Sequence, residues 1–388
     1  MRSIELFAGA GGLALGTSSA GFRHEAVVEL DRNACDTIQR NKELGVRPIS
    51  SWPLIQADVR VVDFKPFKGV DLVSGGPPCQ PFSIGGKHHG HKDSRNLFPE
   101  VVRAVRATKP RAFLIENVKG LMRAAFADFF EYVLLQLTYP ELAPKNNESW
   151  LSHRARLEKH HTKGQPGGLH YRVVFQTLNA ANFGVPQRRE RVFIVGFRSD
   201  IAREWSFPEP THSYDSLLRD QWITGEYWKR HRIPKRRRPP EPTRFKARIA
   251  RLRESLLPTN GRSWKTVRDA IADLPDPTRS KRHGISNHEH NPGARVYPGH
   301  TGSPLDEPAK TLKAGDHGVP GGENMLAYTN GSVRYFTVRE SARLQGFPDK
   351  IVFAGSWTET MRQLGNAVPV TLARVVATKV AKTLASSR

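Results

Sequence analysis

One of the two cysteines in the chain stands in a setting that suits a nucleophile. Cys79 lies in the run Gly-Gly-Pro-Pro-Cys-Gln, shortly after the apolar residues 70–73. Pro77 and Pro78 fix the backbone φ angle, so the thiol is held in a rigid turn rather than packed in a core. An exposed cysteine with a lowered pKa is a nucleophile, whereas a buried free cysteine is a small apolar side chain. We expect the first for Cys79 and the second for Cys35.

Ionisable groups follow two further apolar runs. Glu116 begins the run Glu-Asn-Val directly after residues 112–115, and the run Gln-Arg-Arg-Glu-Arg occupies residues 187–191. A carboxyl group whose pKa is raised by burial can donate a proton, which a pyrimidine ring nitrogen needs when a thiolate adds to that ring. The alternatives are an ordinary strand-end acid and a surface charge run.

A glycine-rich turn indicates a nucleotide-type cofactor. Residues 7–16 read Phe-Ala-Gly-Ala-Gly-Gly-Leu-Ala-Leu-Gly and stand between a predicted strand and a predicted helix. Glycines there let a ligand approach the backbone. Glu29 ends the next predicted strand, where an acid accepts hydrogen bonds from ribose hydroxyls, and Asp58 ends the third. This pattern alone is shared by enzymes that use NAD, FAD or S-adenosylmethionine.

The elements that must position these groups follow from the apolar pattern. Short apolar runs alternate with amphipathic stretches, which predicts an α/β fold with a mostly parallel sheet. Ligands bind outside the carboxyl ends of parallel strands, so the candidate groups would meet at one sheet edge. Strands are predicted at residues 4–7, 26–30, 54–57, 70–73, 112–115, 172–178 and 191–197. Helices are predicted at residues 31–42, 97–108, 337–345 and 368–385.

The charge of the chain points to a polyanionic partner. Its 388 residues include 60 Lys plus Arg and 37 Asp plus Glu, a formal net charge of +23. This charge is typical of nucleic-acid-binding proteins, although a basic protein without such a partner is the alternative. Two cysteines exclude a disulfide framework and a cysteine-rich zinc site. Because no membrane helix or secretory leader is recognisable, we expect a cytoplasmic protein that needs neither a membrane nor a metal.

Four segments depart from the alternating pattern. Residues 140–168 are polar and are predicted to be a surface insertion. Residues 229–253 carry twelve basic residues and one acid. Such a block is either a phosphate-binding surface, which we favour, or a solvated tail. Residues 284–322 are rich in Gly, Pro, His and Asn and predict loops. The histidines within residues 83–95 are interpreted as a solvated loop rather than a metal site.

With these motifs in this order, the chain resembles the DNA (cytosine-5)-methyltransferases. Residues 7–16 resemble the family's S-adenosylmethionine loop, Pro-Pro-Cys-Gln its catalytic motif and Glu-Asn-Val a second active-site motif. Residues 187–191 resemble its Gln-x-Arg-x-Arg motif, and residues 365–369 its last cofactor motif. The likeness spans about residues 4–370. The size resembles the stand-alone bacterial enzymes of restriction–modification systems.

The resemblance implies two domains. Residues 1–199, completed by residues 337–388, would form a Rossmann-like S-adenosylmethionine-dependent methyltransferase domain. Residues 200–336 would form a smaller, irregular target-recognition domain, whose basic block contacts phosphates and whose loops read base edges.

The resemblance also implies the roles of the site residues. Cys79 would attack C6 of a cytosine that has left the duplex, and Glu116 would contact N3 and the exocyclic amine. Arg191 would contact O2, and Arg189 would help to hold the active site. Loss of the C5 proton after methylation would release the thiol. The implied cofactor-binding residues are Phe7, Ala8, Gly9, Gly11, Gly12, Leu13, Glu29, Leu30, Asp58, Val59, Pro78, Leu97, Asn366, Ala367 and Val368.

The expected partners are S-adenosylmethionine, which leaves as S-adenosylhomocysteine, and double-stranded DNA with a short cytosine-containing site. A monomer and a cognate restriction endonuclease for the same site are also expected. One alternative is a cytosine-5 methyltransferase for transfer RNA, but its Cys-Phe-Thr signature is absent. A DNA-binding repressor would not need intact Cys79, Glu116 and Arg191. An NAD-dependent oxidoreductase would leave the cysteine motif unexplained.

Overall fold

The computed structural model describes residues 1–78, 96–164, 167–201, 204–255, 259–279, 284–314 and 324–387. The chain divides into two compact units. The first unit comprises Met1–Leu178, Glu190–Pro208 and Leu372–Arg388, and the second comprises Asn179–Arg189 and Glu209–Thr371. Residues 337–371, which the sequence assigned to the catalytic domain, therefore fold with the second unit. The functional roles of the two domains stay predictions.

A mostly parallel sheet forms the centre of the first unit. Its strands are β1 (Arg2–Leu6), β2 (Arg23–Glu29), β3 (Leu54–Gln56), β4 (Leu72–Gly75), β5 (Ala112–Val118), β6 (Tyr171–Asn179) and β7 (Glu190–Arg198). Across the part of the chain that the structure describes, their order is β3-β2-β1-β4-β5-β7-β6. The pairs from β3 to β5 are parallel, and β7 runs antiparallel to β5. The predicted α/β class is therefore confirmed.

Burial on both faces explains why the central strands β1, β4 and β5 have nearly continuous apolar sequences. Ile4, Val73 and Ile115 belong to one core cluster and have no exposed surface. Because β1, β2 and β4 are parallel neighbours, their carboxyl ends face the same sheet edge, which is where the candidate groups were predicted.

Helices flank the strands of the first unit. They are α1 (Gly12–Ser19), α2 (Arg32–Glu43), α3 (Phe98–Thr108), α4 (Ala127–Thr138) and α5 (Trp150–Thr162). Helix α2 begins where the sequence predicts, because the carboxylate of Asp31 accepts a hydrogen bond from the Ala34 amide at 2.9 Å. Such a cap satisfies an amide that has no partner within the helix.

The insertion at residues 140–168 is more than the predicted polar surface segment. It contains α5, whose His153 and Leu157 are buried. The Nδ1 atom of His153 lies 2.7 Å from the Tyr132 hydroxyl of α4, and its Nε2 atom lies 2.6 Å from the Leu142 carbonyl. A buried histidine within a polar sequence carries no periodic apolar signal, so the pattern did not reveal this packing.

The second unit is built from short elements. Its helices are α6 (Tyr214–Trp222), α7 (Glu226–Arg230), α8 (Lys246–Glu254), α9 (Val267–Ile271), α10 (Val338–Leu344) and α11 (Trp357–Asn366). Its strands are β8 (His212–Ser213), β9 (Arg262–Ser263), β10 (Ser303–Pro304), β11 (Met325–Ala327) and β12 (Val333–Tyr335). Leu312, Phe336 and Leu344 form part of its core. The loop-rich character predicted for residues 284–322 holds in their described part, where β10 is the element present.

The basic block at residues 229–253 is folded rather than tail-like. Helix α8 lies within it, and several of its arginines form ion pairs. Arg248 lies 2.6 Å from Asp215, Arg253 lies 2.5 Å from Glu241, and Arg230 lies 3.2 Å from Asp269. The solvated-tail interpretation is therefore wrong, because the pairs of Arg248 and Arg230 fix the block to the rest of its unit, and the pair of Arg253 with Glu241 lies within it.

Helix α12 (Val370–Ser386) returns the chain to the first unit. A Cβ atom on Gly16 of α1 would lie 2.4 Å from the Cβ atom of Ala373, so only glycine allows this contact. Arg111 donates a hydrogen bond to the Leu384 carbonyl at 2.8 Å. No described helix has the length and apolar character needed to cross a membrane.

Candidate active site

A buried ion pair joins two of the predicted catalytic residues. Glu116 lies near the end of β5, and Arg191 lies at the start of β7, where it stands opposite Val118 in the antiparallel register. Arg191 Nε is 2.8 Å from Glu116 Oε1, and the two side chains are only 11% and 8% exposed. A buried carboxylate needs a compensating charge, and the guanidinium supplies it. The sequence interpretation placed both groups at one sheet edge, and the structure brings them into contact.

The backbone that leads to Cys79 runs beside this pair. A Cβ atom on Gly76 would lie 3.1 Å from Glu116 Oε2, and the Asn117 side-chain amide donates to the Pro77 carbonyl at 3.1 Å. Both contacts hold the chain leaving β4 against the end of β5. Pro78 is exposed, and Cys79 itself lies outside the described residues, as does the histidine-containing stretch 83–95.

Arg189 is fully buried and contacts backbone carbonyls. Its guanidinium donates to the carbonyl oxygen of Leu312 at 2.9 Å, of Gly365 at 2.5 Å and of Ala367 at 2.9 Å. All four residues belong to the second unit. The family resemblance implies that Arg189 helps to hold the active site, which stays a prediction. These contacts make it a residue that joins two segments of its own unit.

The predicted cofactor loop adopts strained and glycine-dependent backbone. Phe7, Gly9 and Gly11 have positive φ angles of 55°, 53° and 89°. A Cβ atom on Gly9 would meet no atom within 4 Å, so open space adjoins the loop there. A positive φ in a non-glycine residue is strained, and such residues cluster at ligand sites.

Trp52 packs against this loop at Gly11, a contact that the sequence pattern did not predict. A Cβ atom on Gly11 would lie 2.7 Å from the Trp52 ring, so the glycine is required by contact as well as by its φ angle. The indole is buried and donates to the Ser18 hydroxyl at 3.2 Å. No spacing rule connects an aromatic residue at position 52 to a glycine turn forty residues earlier.

Glu29 stabilises the loop through its carboxylate. One oxygen accepts from the Gly9 amide at 2.6 Å, and the other accepts from the amides of Leu30 at 2.8 Å and Asp31 at 2.7 Å. Hydrogen bonds to an ionised acceptor are stronger than those between neutral groups. A carboxylate has about four acceptor positions, and backbone amides of the described residues occupy three of them here.

Asp58 lies after β3 and is paired in this structure. Its carboxylate accepts hydrogen bonds from the Arg60 side chain, with Nε at 3.0 Å, and from the Arg60 backbone amide at 2.9 Å. These bonds hold the pKa of Asp58 below its usual value, since they favour the ionised form.

The remaining predicted cofactor residues fall into two groups. Leu30 is 60% exposed and Leu97 is half-buried, so both side chains are accessible, and Asn366 is exposed at the end of α11 in the second unit. The other group is buried and can contact a ligand through backbone atoms rather than through side chains. Its members are Ala8, Gly12, Leu13, Val59, Ala367 and Val368. The cofactor roles of all of these residues stay predictions.

A buried carboxyl group in β1 was also missed. Glu5 has no exposed surface, and the hydroxyl of Ser74, its register partner on β4, donates to it. Loss of water on burial raises the pKa of Glu5 to about 8, which the hydrogen bond from Ser74 opposes. A single acid within an apolar run gives no sign in the sequence of whether its side chain is buried or exposed, so the burial of Glu5 was not predicted.

Comparisons with known proteins extend over most of the chain. The model of one family, described as C-5 cytosine-specific DNA methylase, matches residues 1–139 and 146–382. Type II methyltransferase M.NgoMIV of Neisseria gonorrhoeae is 29% identical over 98% of this chain and 97% of its own length. Type II methyltransferase M.Eco47II of Escherichia coli is 32% identical over 96% of this chain and 77% of its own.

A solved structure has the same fold. The S. pombe Dnmt2 methyltransferase covers 100% of this chain and 99% of its own, with a TM-score of 0.57 and 17% identity. At that identity the likeness concerns the fold alone.

Proposed function

Because the chain belongs to the C-5 cytosine-specific DNA methylase family and is a DNA cytosine-5 methyltransferase, we propose that it methylates cytosine at one specific DNA site. The methyl donor would be S-adenosylmethionine, and catalysis would proceed through a covalent bond between Cys79 and C6 of a cytosine flipped out of the duplex. The enzyme would protect DNA against a cognate restriction endonuclease, in line with the Type II names of its relatives.

One observation carries the proposal. The buried pair of Glu116 and Arg191, 2.8 Å apart, adjoins the Gly76–Pro77 backbone that leads to Cys79. An acid, a guanidinium and the approach to a thiol therefore occupy the same sheet edge. A proton donor and an oxygen-binding cation beside a nucleophile are what addition to a pyrimidine ring requires.

The chemical steps follow from these groups. The thiolate of Cys79 adds to C6, the electron pair of the C5=C6 bond moves to C4–C5, and the C4=N3 pair moves to N3, which takes a proton from the Glu116 carboxyl group. As the C4=C5 electron pair bonds the methyl group, N3 returns its proton to Glu116 and the C4=N3 bond forms again. A base, such as water, then takes the C5 proton, its electron pair forms the C5=C6 bond, and the S–C6 pair leaves with Cys79 as the thiolate. Arg191 holds Glu116 in position and binds O2, on which negative charge develops as the thiolate adds.

The glycine loop fits S-adenosylmethionine, which supplies an electrophilic methyl group when bound. Phe7 and Leu30 offer apolar surface for an adenine ring, Glu29 keeps an acceptor position for ribose, and the space beside Gly9 admits the donor. Asp58 would have to exchange its contact with Arg60 for the ligand. Asn366 would complete the set.

The DNA would be bound through the basic second unit. Phosphate contacts fix a protein on the duplex, and base-edge contacts read its sequence. The exposed cations of the block at 229–253, among them Lys235, Arg236 and Arg237, suit the first task. The target cytosine has to leave the stack because its C6 is out of reach inside the duplex. We expect the enzyme to act as a monomer in the bacterial cytosol.

Bisulfite sequencing of a plasmid from cells that express the protein tests the proposal. We expect one short sequence motif in which a cytosine resists conversion on both strands. The same plasmid should resist any endonuclease that cuts at this motif. Complete conversion of all cytosines, with soluble protein present at normal level, would contradict the proposed activity.

A further inference from the structure

The motif at residues 187–191 presents two faces. Gln187 and Arg189 have no exposed surface, whereas the side chains of Arg188 and Glu190 between and beside them are 38% and 47% exposed. This alternation is that of an extended chain, in which successive side chains point to opposite sides. Arg191, on the buried face, contacts Glu116, so the inner side chains of one short run have different partners.

Gln187 and Arg189 bind the segment 309–313 of the second unit. The Gln187 side chain accepts from the Leu312 amide at 3.0 Å and donates to the Leu344 carbonyl at 3.2 Å. Arg189 donates to the Leu312 carbonyl at 2.9 Å. Both backbone groups of Leu312 are thus held by buried side chains of the motif.

Asn324 holds the next peptide of the same segment. Its side chain accepts from the Lys313 amide at 3.0 Å and donates to the Lys313 carbonyl at 2.9 Å, and it is itself buried. The backbone of residues 312–313 therefore has a single defined position. Buried polar side chains that make their hydrogen bonds rigidify the backbone to which they bind.

The turn at residues 365–367 shares the same guanidinium. Arg189 donates to the carbonyls of Gly365 and Ala367, which flank the exposed Asn366. Gly365 also touches the segment directly, since a Cβ atom on it would lie 2.3 Å from the Ala314 amide nitrogen. One cation and one close contact therefore fix the two segments to each other.

We propose that Arg189 is a positioning residue that couples cofactor binding to DNA binding. This inference rests on the proposed function, in which segment 309–313 belongs to the DNA-recognition region and Asn366 contacts the cofactor. DNA bound to the recognition region would act on this fixed segment and, through Arg189, on the backbone on both sides of Asn366. By linkage, bound cofactor would strengthen DNA binding by the same factor.

The fork geometry of arginine is essential to this role. A planar guanidinium reaches three carbonyls at once, whereas a lysine ammonium in the same place is a compact charge without that fixed geometry. Arg189→Lys should therefore keep the buried charge but loosen one segment from the other.

The test measures binding of S-adenosylhomocysteine by calorimetry, with and without a duplex that contains the methylated site. Wild-type protein should bind it at least about fivefold more tightly in the presence of DNA, the lower end of typical coupling. In Arg189→Lys this ratio should fall close to one. Gln187→Met, which removes the Leu312 and Leu344 contacts but keeps Arg189, should give an intermediate ratio and serves if the lysine variant does not fold.

Arg339→Lys is the matched control. Arg339 is 1% exposed and donates to the carbonyls of Ser286 at 3.1 Å and Ile351 at 2.8 Å, so it joins carbonyls in the same unit without touching the turn at 365–367. It should keep the wild-type ratio. The proposal is overturned if folded Arg189→Lys keeps that ratio, if Arg339→Lys loses it equally, or if the wild type shows none. Absence of any ligand binding or methylation in the wild type would instead refute the proposed function.

Discussion

Arg191 and Glu116 meet across antiparallel strands, with Nε and Oε1 2.8 Å apart in a buried environment. The arginine fixes the direction of the carboxyl group, and Asn117 holds the Pro77 backbone next to it.

Glu116→Gln should lower methyl transfer about 100- to 10,000-fold, the usual worth of a positioned proton donor. The amide keeps the shape of the side chain but cannot donate an acidic proton to N3. Transfer of a labelled methyl group to a duplex measures the rate. Glu190→Gln, on the same sheet but exposed and paired with Lys119, is the control and should keep the wild-type rate. Equal rates for the two variants would remove Glu116 from catalysis.

Cys79→Ala should abolish methyl transfer while DNA binding remains, because only the nucleophile is lost. A duplex with 5-fluorocytosine at the target gives a second readout. Fluorine at C5 cannot leave as a proton does, so the adduct should persist with wild-type protein and be visible as a shifted band in a denaturing gel. Cys35→Ser, at a buried thiol in α2, should still form the adduct. Full turnover by Cys79→Ala would rule out the covalent route.

Glu29→Ala should weaken binding of S-adenosylhomocysteine about 10- to 100-fold, because three hydrogen bonds from backbone amides to the Glu29 carboxylate are lost. The loop at Gly9 would lose its fixed position, and the ribose its acceptor. Titration calorimetry without DNA gives the dissociation constant. Glu25→Ala, on the same strand and paired with Arg2, should bind as the wild type does. An unchanged dissociation constant in Glu29→Ala would show that the loop keeps its conformation without the Glu29 carboxylate.

Gly11→Ala should lower the free energy of unfolding more than Gly45→Ala does. Both glycines have positive φ, 89° and 67°, which costs an L residue about 1–2 kcal/mol. At Gly45 a Cβ atom meets nothing within 4 Å, whereas at Gly11 it would lie 2.7 Å from Trp52, which adds an overpacking cost of about 1–3 kcal/mol. Denaturant titration measures both. An equal decrease in the free energy of unfolding of the two variants would mean that the Trp52 ring moves aside at no cost.

Glu5→Gln should make the protein less sensitive to rising pH. The folded pKa of Glu5 is about 8 against an ordinary 4.5, so the folded state holds a proton that the unfolded state has lost. The free energy of unfolding of the wild type therefore falls as pH rises between these values, by up to about 5 kcal/mol. The difference between wild type and Glu5→Gln, measured at pH 5 and pH 9, isolates this contribution. A difference independent of pH would mean that Glu5 ionises freely.

The centre of the sheet could be predicted from the sequence because strands β1, β4 and β5 are buried on both faces. The predicted runs at 4–7, 70–73 and 112–115 overlap these three strands, and the run at 54–57 overlaps the less buried β3. The sequence predicted that Glu116 and the run 187–191 lie at the same sheet edge, whereas their contact depends on the antiparallel pairing of β7 with β5, which the pattern did not predict. The glycine turn was recognisable from composition, but it fitted several cofactors, and the family match removes the oxidoreductase alternative.

Other features depend on contacts between residues far apart in sequence. Trp52 beneath Gly11 and the carbonyls around Arg189 have no local signal, because the chain says nothing about which segment will lie beside them. An arginine run was readable as surface charge or as a catalytic motif, and neither interpretation predicted full burial of Arg189. The packing of His153 within a polar insertion was hidden for the same reason.

The seating of α12 against α1 has a consequence for synthesis on the ribosome. Gly16 leaves the space that Ala373 occupies, and Arg111 donates a hydrogen bond to the Leu384 carbonyl, so the first unit is completed by residues translated more than 350 positions after Gly16. A nascent chain that stops before this helix emerges would leave the apolar side of α1 bare, a surface that chaperones and proteases recognise. Interrupted translation would therefore yield fragments that are degraded rather than partly active enzyme.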